Sequence, residues 1–121
     1  MVKRDFIFEQ VEFISKLLYT ILFPTQSKGK EFNVNDYKFD TASLELKLRL
    51  LDLIKENNFS EAEDLLFESI DNDTGQGSLQ VAVWFYLQLN DIDEEILEKN
   101  NFSKQEVLEG IQEIEKIAMS S

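Results

Sequence analysis

With 121 residues, one proline, four glycines and a 43% hydrophobic share, the chain is long enough to bury one substantial core and too short for two ordinary domains. It has neither cysteine nor histidine, which excludes disulfides, thiolate nucleophiles, imidazole bases, zinc fingers and haem ligation. A net charge of −12 disfavours binding to a phosphate backbone, so no nucleic-acid partner is expected.

Residues 5–23 read as the first helix. Ile7, Val11, Ile14, Leu18 and Ile21 recur at helical spacing and form one apolar stripe. Phe6, Phe13 and Leu17 add a second apolar line on a neighbouring face. A helix packed against one surface needs only one stripe, so the extra width predicts burial on two sides, deep in a bundle or at the contact of a homodimer. Glu9, Gln10, Glu12, Ser15 and Lys16 interrupt the run, which excludes a signal peptide core and a span of about 18 uncharged apolar residues. A cytoplasmic, non-membrane location is expected. The helix stops at Phe23-Pro24, because proline disfavours helical backbone in the residue before it.

Residues 24–40 form a long loop or arm. The polar TQSKGK stretch predicts mobility, and FNVNDYKF alternates around Asn35-Asp36 as a small hairpin or extended arm would. Further helices are expected at Thr41 to Glu56, Ser60 to Ile70, Ser78 to Leu89, Asp91 to Glu98 and Ser103 to Ala118. In the second, Leu44, Leu48, Leu51 and Ile54 are expected to face inward beside Leu50. The helix holding Val81, Ala82, Val83, Trp84, Phe85 and Tyr86 is apolar nearly all round, which marks it as buried.

The tetrapeptide NNFS occurs at Asn57–Ser60 and again at Asn100–Ser103. Each copy continues as Ser-x-x-Glu, Ser60 with Glu63 and Ser103 with Glu106, the pattern of a capping box. The asparagines suit the left-handed turn that ends the preceding helix. In the second copy Phe102 and Val107 complete a hydrophobic staple, whereas Phe59 faces Asp64 at that position and must pack elsewhere. The recurrence therefore predicts two helix–turn–helix junctions.

The stretch IKENNFSEAEDLLFESI resembles the hairpin of a tetratricopeptide repeat, with Phe59 in the turn and small Ala62 and Ser69 where two antiparallel helices approach. The likeness covers about one repeat; Leu50 stands where a small residue is usual, and a stable solenoid needs at least three repeats. Taken whole, RDFIFEQVEFISKLLYTILF, the Ala62 hairpin and LNDIDEEILEKNNFSKQEVLEGIQEI resemble a family of small uncharacterised helical proteins of Gram-positive bacteria. That resemblance implies a fold and no activity.

The candidate chemistries fail on spacing. Asp71-x-Asp73-x-Gly75 lacks an oxygen ligand at Gly75, a glycine at Gln76 and a glutamate at Ala82, so it reads as a helix-ending turn rather than a calcium loop. SKGK lacks the glycine framework of a phosphate loop. Trp84, Phe85 and Tyr86 point about 100° apart and cannot share one pocket wall. Glu61, Glu63, Asp64 and Glu68 are expected on an exposed helix face, where nothing pushes two pKa values apart for acid–base work. No catalytic residue, cofactor or metal is expected.

Residues 1–55 carry nine Lys/Arg and eight Asp/Glu, a net of +1, while residues 56–121 carry three and sixteen, a net of −13. Such a surface solubilises, or docks on a basic partner. The sequence thus predicts a single all-α domain over residues 1–121, a bundle of five to six helices with one tetratricopeptide-like hairpin and a partly extended loop. Its expected role is non-enzymatic protein–protein interaction with self-association, through Phe6, Phe13 and Leu17 or through Glu61, Asp64 and Glu68. The alternatives are a small-ligand binder or carboxylate-dependent hydrolase, and an acidic mimic occupying a basic partner.

Overall fold

A computed structural model of the chain describes residues 2–23, 32–73 and 75–120. Among the described residues it contains six α-helices and no strand: α1 (Val2–Leu22), α2 (Thr41–Lys55), α3 (Phe59–Asn72), α4 (Gly77–Asn90), α5 (Glu94–Lys99) and α6 (Lys104–Met119). The all-α bundle expected from periodicity is present, with boundaries close to those read from the sequence.

The central element is α4, which touches α1, α2, α3 and α6. Surrounded in this way it has no solvent face to make polar, and Val81 through Tyr86 are all buried. On α1, Val11, Ile14 and Leu18 pack against α4 and α6. Gln80 of α4 donates its side-chain amide to the Leu22 carbonyl at 2.6 Å, satisfying one of the acceptors left open where α1 ends. At its own C-terminus α4 offers the Asn90 carbonyl to the buried Lys104 Nζ at 2.6 Å, while the Asn90 side chain donates to Phe8 O.

Of the two forms left open for residues 32–39, hairpin or extended arm, the chain adopts the arm, and one expectation about α2 is corrected. Residues 32–39 form no hairpin. Asn33 Oδ1 accepts from Asn35 N and Tyr37 N donates to Val34 O, closing a 3-10 turn over Val34–Asp36. The alternating apolar residues are anchors of an extended arm: Phe32 and Tyr37 lie against Phe23, with centroids 5.1 and 4.7 Å from it, and Phe39 packs on Tyr37. Lys47 Nζ then sits 5.3 Å from the ring centroids of both Phe39 and Trp84, tying arm, α2 and α4 together. The TQSKGK stretch lies outside the described residues.

The correction concerns the roll of α2. Leu44 and Leu48 are exposed rather than inward, and Ser43, Leu46 and Leu50 make the buried face. The helix carries two leucine lines, and close contact at its first turn selects between them. A Cβ on Gly77 would collide with Ser43 Oγ, so the first turn of α2 lies close against the start of α4 there.

Both NNFS junctions are Schellman turns, with Asn57 at φ 61° and Asn101 at φ 63°. Asn58 N donates to Leu53 O and Asn57 N to Ile54 O; Phe102 N donates to Leu97 O and Asn101 N to Glu98 O. The left-handed residue is the first asparagine in one copy and the second in the other, which shifts everything downstream. Ser103 caps α6 as expected, its hydroxyl accepting from Glu106 N at 3.1 Å. Ser60 does not cap α3: that helix begins at Phe59 with Asn58 in the cap position, so Ser60 is already inside it. Its capping box with Glu63 does not form, which leaves Glu63 available for another partner.

Asp71-x-Asp73-x-Gly75 is a turn, as expected. The Asp73 carboxylate accepts from Gly75 N and Ser78 N, each at 2.9 Å, and so caps the start of α4 from outside the helix. Those two amides hold the Asp73 carboxyl below the usual carboxylate range.

Candidate functional site

Two surfaces emerge, one apolar and one acidic. Phe13 is 71% exposed and Phe6 59%, on the side of α1 turned away from Val11, Ile14 and Leu18, while Leu17 is half-buried. The second apolar line predicted on α1 is therefore not absorbed by the bundle.

The acidic surface is built by α3. Glu61, Asp64 and Glu68 are exposed and line a cleft of about 500 Å³ with Arg49, Asp52, Leu53 and Leu65. Asp64 also borders a second cleft of about 390 Å³, where Glu63 meets Glu106, Glu109 and Glu113 from α6. Neither Phe6, Phe13 nor Leu17 lines either cleft, so the two predicted sets of partner residues remain separate.

Behind Glu63 and Gly110, which line the second cleft, lies a buried arrangement not foreseen from the sequence. Tyr86 of α4 is wholly buried, and its hydroxyl donates to Glu63 Oε2 at 2.5 Å. The ring lies so close to α6 that a Cβ at Gly110 would overlap Cε1, Cζ and the hydroxyl oxygen of Tyr86. Glu63 is half-buried rather than fully solvated. Burial pushes its carboxyl above the usual range and the like charges of Glu106, Asp64 and Glu109 push the same way, against the Tyr86 hydrogen bond. Burial and the adjacent Glu63 carboxylate raise the Tyr86 phenol far more strongly. One signal in the sequence did point here: a glycine inside α6 costs helix stability and so implies close approach by a neighbour.

Among the described residues no group of three or more carboxylates stands together in a way that could hold a metal ion. No helix among them is long and apolar enough to cross a membrane.

Fold and surface together define a small acidic helical-bundle protein built around one buried helix. Residues 1–119 match the family described as a family of unknown function, DUF6483, and the chain belongs to that family. No curated protein and no solved structure matches it.

Proposed function

We infer that the chain is a cytoplasmic protein–protein interaction domain without catalysis of its own, which self-associates and uses the outer face of α1 for recognition. The observation that supports this reading is the exposure of Phe6 and Phe13, since every other aromatic side chain in the protein is buried or half-buried. Two phenylalanines aligned on one helix face cost solubility unless something covers them. The α2–α3 hairpin, with Phe59 and Ala62 fully inside and Leu66 following, resembles a tetratricopeptide unit, a scaffold whose stacked helices serve as binding surfaces. The hydrolase alternative asks for a carboxyl free to pass a proton to substrate, and Glu63 Oε2 is instead engaged by Tyr86.

Immobilised wild-type chain and a Phe13→Asp variant, exposed to extract of the source cells, test the reading. Proteins held by the first and lost from the second, further copies of the chain included, support it. Identical capture by both would overturn it.

A second reading, docking on a basic protein, is favoured by two acidic clefts that share Asp64, one lined by Glu61, Asp64 and Glu68 and the other by Glu63, Asp64, Glu106, Glu109 and Glu113. Attraction of this kind speeds encounter and is screened by salt, the screening length shrinking from roughly 14 to 4 Å between about 0.05 and 0.5 M. Reversal of Glu61, Asp64 and Glu68 to lysine should weaken such binding without loss of helix. Indifference to both salt and reversal would leave the acidic surface a solubilising one.

A further inference from the structure

We propose that the partner seated on the outer face of α1 is a second copy of this chain, with the two α1 helices antiparallel about a two-fold axis close to Phe13. The proposal rests on the interaction reading above and supplies its occupant and geometry.

Phe6 and Phe13 are seven residues apart, so they stand about 10.5 Å apart along the same face of the helix. Glu9 and Lys16 flank Phe13 on that face, one turn before it and one turn after. Both are exposed, and neither makes an ion pair among the described residues. Within one helix they are too far apart to meet, again by about 10.5 Å. An antiparallel copy removes that separation. With the axis between residues 12 and 13, residue 9 of one helix lies beside residue 16 of the other. Each Glu9 then faces the second copy's Lys16, and the pair forms twice. The two Phe13 rings meet beside the axis, and each Phe6 reaches the level of Leu17 and Thr20 on the opposite helix.

Charge decides between the possible arrangements. A parallel pair in register sets Glu9 against Glu9 and Lys16 against Lys16, which repels at both levels. The antiparallel pair is self-complementary. Charge also selects where copies can meet: beyond residue 55 the chain carries a net of −13, so contact there is repulsive, while residues 1–55 are near balance at +1. A single helix face about 30 Å long covers less than the roughly 800 Å² per partner of a standard stable interface, so the dimer is a weak, reversible one.

Analytical ultracentrifugation of the full chain from about 1 to 300 µM reads this directly. A monomer–dimer equilibrium is expected, weakened at least tenfold by Phe13→Asp. Glu9→Lys and Lys16→Glu should each weaken it, and the double reversal should restore it. Because Phe13, Glu9 and Lys16 are exposed, the variants keep their fold, which circular dichroism and the melting curve verify. The chain has no cysteine, so single cysteines report orientation. Phe13→Cys lies next to its twin and should crosslink on oxidation, whereas Phe6→Cys lies about 20 Å from its twin along the axis and should not. A dimer indifferent to Phe13→Asp and to the charge reversals, or one that crosslinks through Phe6→Cys, overturns the proposed contact while leaving self-association intact. A monomer throughout the range overturns the second copy as occupant. The recognition role of α1 then stands or falls separately on capture of other proteins through Phe13.

Discussion

Phe59 and Phe102, the same residue of the repeated NNFS motif, pack against each other with ring centroids 6.1 Å apart and planes tilted by 53°. Both are buried, Phe59 at the start of α3 and Phe102 just before α6, so the two junctions are joined through their shared letter. Offset aromatic pairs of this kind contribute about 0.5–1.5 kcal/mol beyond area burial. A double-mutant cycle of Phe59→Leu and Phe102→Leu, read by denaturant unfolding, should return a coupling of that size. Strict additivity would show that the rings are merely neighbours.

The same repeated serine should behave differently in its two copies. Ser103→Ala removes the cap on α6 and should cost about 1 kcal/mol. Ser60→Ala removes an exposed hydroxyl inside α3 and should stay within about 0.5 kcal/mol of wild type. Equal losses at both sites would mean that Ser60 rather than Asn58 caps α3, which would then start two residues later, at Glu61.

Helix propensity and packing make opposite forecasts at Gly110. Alanine is favoured over glycine inside a helix by about 1 kcal/mol. Here the added methyl lands on the ring of Tyr86, which is buried and cannot swing away. Overpacking should win, for a net loss of about 1–2 kcal/mol. In a Tyr86→Leu background the obstacle is gone, and Gly110→Ala should become neutral or stabilising. If the substitution stabilises the wild-type chain, Tyr86 does not occupy the space against α6.

Two carboxylates should move stability with pH in opposite directions. The folded chain holds the Asp73 proton less tightly than the unfolded chain does, so its contribution is present above the usual carboxylate pKa and lost as pH falls through the lowered one. Asp73→Ala should cost about 1 kcal/mol at neutral pH through the lost cap of α4, and little in strong acid. Glu63 is raised instead, so in the window from the usual carboxylate pKa up to the raised one the folded state holds more protons and stability falls as pH rises. Glu63→Gln keeps an acceptor for Tyr86 and discards the charge. It should therefore gain on wild type as pH rises through that window. Because Glu63 remains partly solvated, the gain at neutral pH is on the order of 0.5 kcal/mol. Thermal melts of the three chains between about pH 3 and 8 test both signs; a Glu63→Gln chain that loses stability at neutral pH would contradict the burial cost assigned to that carboxylate.

Much of the candidate surface was legible before the fold, and for different reasons at different residues. Phe6 and Phe13 stood out because α1 has one apolar line more than a single packing face uses. Glu61, Asp64 and Glu68 read as exposed because carboxylates outnumber the one apolar residue, Leu65, on their side of α3. Glu63 was misread with them. Its sequence neighbours are acidic and polar, and the residues that draw it inward, Tyr86 and Gly110, come from two other helices.

The sequence by itself determined what is local: helix positions through apolar periodicity, their ends through Asn57, Asn101 and Ser103, and the burial of α4 through its lack of a polar side. These depend on interactions within a few residues, which a linear string displays. Tertiary structure alone decided which of the two leucine lines of α2 faces the core, that the 32–39 arm is pinned by aromatic rings rather than paired as strands, and that Phe59 finds Phe102. It also decided that Glu63 shares a buried hydrogen bond. Each of these turns on how closely two distant backbones approach, at Gly77 and Ser43 or at Gly110 and Tyr86, and that distance is set only when the helices pack.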